Sequence, residues 1–253
     1  MVAPAMFYPP DLDLSAAPAL DLLAIAAHPD DIEQTCGGTL MKMAEAGYLT
    51  GALDLTAGEM GSRGTPELRL AEARQSASIL GLAFRENLRM PDARLDNSLA
   101  LRMTLMSVVR RLKPKVVILP YWDARHLDHS VASQLGFEAC FLAGLRKMEE
   151  SVAPHRPHKL LYASLYANVT PSFVVDITPY FERRMESLFV YASQYGESET
   201  AAGLFPNRDE ILDRHRSIAR FYGNLIGVKY GEPFVVKETL RIDDIVTMGV
   251  RTF

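Results

Sequence analysis

The chain of 253 residues is 48% hydrophobic and 23% charged with a formal net charge of −4, a balance that suits one globular domain and supplies no basic field for nucleic acid. Two cysteines, Cys36 and Cys140, are too few for a disulfide framework and fit a reducing cytoplasm. No apolar run approaches the ~20 residues that a membrane span needs.

Residues 1–21 carry no basic leader and are broken by Pro4, Pro9, Pro10 and Pro18, which argues against a signal peptide. They are expected to form an arm, either packed on a neighbouring subunit or left as a disordered extension. Residues 22–26 form a short apolar run, read as a buried strand, and Ala27-His28-Pro29-Asp30-Asp31 follows it as a turn. A helix is expected over 37–47, opened by Gly37-Gly38 and closed by Gly47, then a strand over 49–56. Residues 58–66 contain Gly58, Gly61 and Gly64 and read as a loop. A helix over 67–80 stops at Gly81. A strand over 84–90 turns at Pro91-Asp92, and a helix over 99–112 ends before Pro114. A strand over 115–119 leads to Arg125-His126-Leu127-Asp128-His129, and a helix over 130–148 follows.

From Pro154 the pattern changes. Strands are expected over 158–166 and 172–177, the second with Phe173, Val175 and Ile177 alternating. A helix over 180–191, a loop over 196–206, a helix over 211–225 and a tail of short strands and turns complete the chain. The expected organisation is an arm (1–21) and a single α/β domain (22–253), with a core over 22–150 and a C-terminal cap over 151–253.

Strands alternating with helices predict a mostly parallel sheet covered on both faces. Such sheets bind ligands beyond the carboxyl ends of their strands, where the strand order reverses. The polar clusters at 28–31, 59–69, 92 and 125–129 all follow predicted strands. Zn²⁺ in hydrolytic sites takes three protein ligands and keeps a position for water. His28, Asp31 and His129 can supply two imidazoles and a carboxylate, and Asp30 is placed as a general base. His126 can polarise a carbonyl or protonate a leaving amine, with Asp128 orienting its ring. Arg69 and Arg125 suit an acidic group on a substrate, and Asp92 suits sugar hydroxyls. The alternatives are plain: Asp30 and Asp31 as helix caps, His126 and His129 as surface residues, the arginines in surface ion pairs. His155 and His158 read as surface residues, His215 as part of a solvated helix face beside Arg214 and Arg216, and Cys36 as a small buried residue.

These residues resemble the LmbE-like or PIG-L-type zinc N-acetylglucosamine deacetylases. The likeness runs from about Leu22 to Phe234. It is carried by Ala27-His28-Pro29-Asp30-Asp31 with Glu33 and Gly37-Gly38-Thr39, by Asp54-Leu55-Thr56-Ala57-Gly58-Glu59, by Glu67-Leu68-Arg69, by Pro91-Asp92 and by Arg125–His129. The resemblance implies a Rossmann-like fold, one Zn²⁺ per subunit on His28, Asp31 and His129, Asp30 as base, and His126 with Asp128 stabilising the tetrahedral intermediate. It matches Arg69 and Asp92 to positions that hold the sugar and Arg125 to one suited to a malate carboxylate. Gly58–Thr65, 171–177, Tyr191–Gln194 and 227–234 resemble the bacillithiol branch, which deacetylates N-acetylglucosaminyl malate and is often hexameric. A mycothiol-type conjugate or a chito-oligosaccharide is the alternative substrate. Leu127 stands where the family motif has proline, and Gln34-Thr35 where small or apolar residues are commoner. Tyr191 and Tyr195 are both candidates for a gating tyrosine. Such donors also accept other divalent ions.

A reading of another class, a nucleotide-binding module, lacks a Gly-x-Gly-x-x-Gly turn after the first strand. It would set the Asp30 and Asp31 charges against a phosphate. The partners expected are therefore a small amino-sugar conjugate and further copies of the same chain, with neither nucleic acid nor membrane.

Overall fold

The computed structural model describes residues 14–149, 151–165, 167–196 and 206–250, together with Pro9 and Leu12. Most of the expected arm before Leu14, and the middle of the loop expected over 196–206, lie outside the described residues. The described part of the arm packs on its own chain: Leu14 and Leu20 are buried in the core, with Leu12 and Ala17 against it.

The chain orders its elements as β1 (Leu22–Ala26), α1 (Asp31–Thr35), α2 (Gly37–Glu45), β2 (Thr50–Thr56), α3 (Pro66–Leu80), β3 (Phe84–Met90), α4 (Leu99–Leu112), β4 (Val116–Pro120) and α5 (Leu127–Ala143). A 3₁₀ turn at Arg146–Met148 follows. The later elements are β5 (Lys159–Ala163), β6 (Phe173–Asp176), α6 (Phe181–Phe189), α7 (Ala192–Tyr195), α8 (Arg208–Asn224) and β7 (Gly231–Val235).

One seven-stranded sheet has the order β3-β2-β1-β4-β5-β7-β6. β1 pairs in parallel with β2 and β4, β2 with β3, and β4 with β5. β7 runs antiparallel to β5 and β6. The stretch expected as a cap therefore also extends the sheet. β1 shows why a continuous apolar run belongs at the centre, since its alternate residues serve both faces. Leu23 and Ile25 join a core with α4 and α5 residues such as Leu105 and Leu135. Leu22, Ala24 and Ala26 join another with Ile32, Leu40 and Met41. A third cluster, with Phe181, Met185, Ile211 and Tyr230, binds α6, α8 and the start of β7 together.

The order reverses between β1 and β4. The chain builds outward from β1 to β3, then returns to lay β4 on the other side of β1. A crevice opens there beyond the strands' carboxyl ends, and the turns after β1 and β4 meet in it.

Two departures from the predicted elements bear on that crevice. A short helix, α1, precedes α2, so Asp31 lies in a helical first turn. α5 begins at Leu127 rather than Ser130 because the His126 side chain caps it, accepting from the Asp128 N–H. Histidine is not among the usual capping residues, which hid this start.

Candidate active site

β1 ends in a turn that holds Asp30 at φ 100°, a backbone region that a residue other than glycine occupies only when its surroundings enforce it. Asp30 precedes α1, yet its side chain makes no cap hydrogen bond. Its carboxylate goes elsewhere. Arg69 Nη2 donates to Oδ1 at 3.1 Å and Tyr195 Oη donates to Oδ2 at 2.6 Å. Arg69 also donates to the Pro29 carbonyl at 2.9 Å, clamping the turn. Gly58, at φ +68, lets the Arg69 guanidinium through, because a Cβ there would lie 1.9 Å from Nη1. The capping alternative for Asp30 is thereby set aside.

Across the crevice, the first turn of α5 delivers His129. His28 Nδ1 lies 3.3 Å from His129 Nε2 and 3.5 Å from Asp31 Oδ2. His129 Nε2 lies 3.2 Å from the same Asp31 oxygen. Ligand atoms ~2.1 Å from a tetrahedral ion are separated by ~3.4 Å, so this triangle fits one ion without rearrangement. His28 Nε2 faces the other way, 3.0 Å from Asp92 Oδ1 and 3.4 Å from Asp128 Oδ2. Carboxylates on that side draw the ring proton to Nε2 and leave the Nδ1 lone pair for a ligand, as around metal-bound imidazoles generally. Two wider groupings, His28 with His126 and His129, and His28 with Asp92 and Asp128, also bring candidate ligand atoms together. The cluster could hold a metal ion.

Its electrostatics ask for positive charge. Burial opposes a charge on His28, but bonds to Asp128, Asp31 and Asp92 overcome it and raise its pKa to about 12. Burial likewise opposes charge on His129, and Asp31 raises it. Asp31 is held well below the carboxylate range, its burial outweighed by His129 and His28. Burial raises Asp30 to about 6 against the pull of Arg69. Burial and the neighbouring His28 and His129 lower His126.

The remaining expected residues fall as follows. His126 is exposed at the crevice rim, its ring centroid 4.7 Å from that of His28. Its Nδ1 accepts from the Asp128 backbone N–H at 3.2 Å, which leaves the proton of a neutral ring on Nε2. Asp128 thus orients His126 through its amide, while its carboxylate faces His28 and accepts from Ala93 N at 2.8 Å. Asp92 Oδ2 accepts from Met60 N at 2.9 Å. Arg69 and Asp92, expected at the sugar, are turned to Asp30 and His28. Arg125 is exposed on the loop before α5.

Sequence reasoning missed the groups behind these. Glu33 is fully buried and is bonded by Arg85, Ser76 and, at 3.1 Å, Tyr191. Tyr191 therefore faces away from Asp30, and Tyr195 is the tyrosine at the site. Arg63 donates to the Gln194 carbonyl at 2.8 Å, and Glu72 accepts from Ser193 N at 2.8 Å. Together they strap α7, with Tyr195, to α3 and the loop before it. Cys36 is buried, as expected. His155 is half-buried and bonds the Pro114 carbonyl at 2.7 Å. His215, expected on a solvated face, is 4% exposed, because helix neighbours such as Arg214 and Arg216 point away from it.

The profile described as PIG-L: GlcNAc-PI de-N-acetylase matches residues 23–140. Diacetylchitobiose deacetylase of Thermococcus kodakarensis is 30% identical over 224 residues, 83% of this chain and 80% of that protein. The chain belongs to the PIG-L family. A solved structure of a conserved protein from Thermus thermophilus superposes on this PIG-L domain with a TM-score of 0.79 at 40% identity, covering 88% of this chain and 97% of that one. The Bacillus anthracis protein named "Probable N-acetyl-alpha-D-glucosaminyl L-malate deacetylase 2" is 27% identical over 202 residues, 71% of this chain and 83% of its own. The Thermococcus kodakarensis and Bacillus anthracis relatives are named as deacetylases, and this chain is a hydrolytic enzyme.

Proposed function

We propose that this PIG-L enzyme is a zinc-dependent hydrolase of the N-acetyl amide of an N-acetylglucosamine conjugate, and that the conjugate is N-acetyl-α-D-glucosaminyl L-malate, a step of bacillithiol synthesis. The observation that carries the reading is the triangle of His28 Nδ1, Asp31 Oδ2 and His129 Nε2, with the Asp30 carboxylate beside it. A zinc ion on these three residues supplies a Lewis acid that polarises a carbonyl and acidifies water.

The chain's own groups supply the rest. Asp30 takes the proton of the attacking water, and Arg69 and Tyr195 aim it. His126, with its proton on Nε2, donates a hydrogen bond to the oxygen that gains charge, and the proton taken up by Asp30 passes to the departing amine. The Asp128 amide holds that ring in place. Water adds to the acyl carbon, the C–N bond breaks, and acetate and the free amino sugar leave. Asp92 keeps the His28 proton on Nε2. Arg125, exposed beside His126, is assigned to the malate carboxylates.

A second reading, a chitobiose-type substrate, is favoured by the diacetylchitobiose deacetylase, which matches at higher identity over more of the chain. We assign the enzyme to the cytoplasm as a homo-oligomer. The free, buried thiols of Cys36 and Cys140 and the exposed Phe137 and Phe141 of α5 support this. No helix among the described residues is long and apolar enough to cross a membrane.

The test compares kcat/KM for acetate release from N-acetylglucosaminyl malate, diacetylchitobiose and free N-acetylglucosamine, using zinc-loaded protein. A preference of ~100-fold for the malate conjugate, about 2.7 kcal/mol in the transition state, is expected, and Arg125→Ala should erase most of it. A preference for diacetylchitobiose would instead establish the second reading.

A further inference from the structure

Beside the cluster lies a cavity of about 20 Å³. Asp31 and His129, two of the proposed zinc ligands, form part of its wall. Ile32, Ile118, Ala163 and Leu165 contribute much of the remainder. Ile32 and Ile118 are only 1% and 2% exposed and belong to the core on the α1 and α2 face of the sheet. Ala24 and Ala26 of β1 and Leu119 and Pro120 of β4 line it as well, so the cavity lies where these two paired strands end.

Its size and chemistry select an occupant. Roughly 10–15 Å³ suffices for one water-sized group, so the space suits a group of about the size of one methyl. A water would need two to four polar partners. Among the polar groups here, Asp31 Oδ2 already faces His129 and His28, and Thr35 Oγ1 donates to the Asp31 carbonyl at 2.8 Å. The aliphatic walls offer nothing to a water and good contact to a methyl.

We propose that this cavity receives the methyl of the scissile acyl group and restricts the enzyme to N-acetyl amides over longer acyl chains. The inference rests on the deacetylase reading and adds the feature that measures acyl length. A longer chain would have to displace Ile118 of β4 or Ile32 of α1. Close-packed interiors resist such shifts. Leu165, on the loop after β5, is half-buried and is the wall that can be trimmed with least damage.

Two measurements separate this inference from the reading it rests on. The first follows carboxylate release from N-acetyl-, N-propionyl- and N-butyrylglucosamine by zinc-loaded protein. One extra methylene in a fitted pocket changes rates by roughly 10–200-fold, so propionyl should fall ~10-fold and butyryl ~100-fold or more below acetyl. Leu165→Ala should narrow the acetyl-to-butyryl ratio by ~10-fold, and Ile32→Val should narrow it less. Equal rates on all three amides would overturn the cavity's role and leave the deacetylase intact. The second measures direct binding of sodium acetate, propionate and butyrate by saturation-transfer NMR. Acetate binding ~10-fold tighter than butyrate supports the cavity even if no amide is cleaved, in which case only the deacetylase reading falls. Equal binding of the three overturns the inference.

Discussion

Asp30, the proposed base, carries several unusual constraints at once. Burial raises its pKa to about 6, two donors fix its oxygens, and its backbone occupies a costly conformation. Asp30→Asn keeps the shape and removes the base, so turnover should fall ~10²–10⁴-fold with metal content unchanged, measured by acetate release and elemental analysis. Near-full activity in that variant would remove Asp30 as the base. His129→Ala should instead lose the ion, which elemental analysis of the same preparation reads directly. That the turn carrying Asp30 and Asp31 would lie beside His129 was legible, because motifs after two apolar strands of one sheet must meet if the order reverses between them. Tyr195 was only half legible. Nothing local distinguishes it from Tyr191, and its partner Asp30 lies 165 positions away in sequence.

Among the elements, α1 and α2 depend on side chains from the far end of the chain. Glu232 of β7 accepts from Gly38 N at 2.9 Å and Thr39 N at 2.7 Å. Arg184 of α6 donates to the Glu33 carbonyl at 2.8 Å and to the Gln34 carbonyl. The break between the two helices is thus satisfied by a carboxylate on the N-terminus of one and a guanidinium on the C-terminus of the other. Gly38→Ala should cost about 1–3 kcal/mol in urea denaturation, because a Cβ would lie 2.9 Å from Ile177 Cγ2 and 3.0 Å from Glu232 Oε1. The helices themselves were readable from glycine punctuation and apolar spacing. Their tether was not, since an isolated Glu or Arg in a strand or helix carries no sign of its distant partner.

The same tether sets a pH dependence. His215 of α8 is buried, and Arg184 approaches its Nδ1 at 3.5 Å; burial and the nearby Arg184 and Arg214 charges lower its pKa to about 3. Between that value and the unfolded value near 6.5, the unfolded chain takes up a proton that the folded one refuses. Stability is therefore full above pH 6.5 and declines as pH falls below it, by about 2 kcal/mol at pH 5 from this group. His215→Gln should flatten the profile between pH 6.5 and 5, read as the difference between the two denaturation curves. Parallel curves would show that His215 takes up its proton in the folded state.

For the whole molecule, the sheet's reversal between β1 and β4 makes the proposed metal site a product of global folding. The open α/β class and the location of the crevice could be read from alternating strands and helices. The placement of β7 between β5 and β6 could not, because a short antiparallel strand after a helix has no distinctive period. An ion held on both sides of the reversal stabilises the folded chain by about 2.7 kcal/mol at a hundred times its dissociation constant. Removing it with a chelator should lower the thermal midpoint by roughly 5–10 °C, and zinc should restore it; an unchanged midpoint would mean that the ion does not bridge the two turns.

His28 and His129 stand 101 positions apart, and this separation has a consequence for how the enzyme is made. During synthesis Asp30 and Asp31 emerge long before the imidazole that completes their cluster, so the early nascent chain cannot capture the ion at this site. Loading of the proposed metal would follow the docking of β4 on β1, and a pulse of labelled zinc should reach only chains extended past α5.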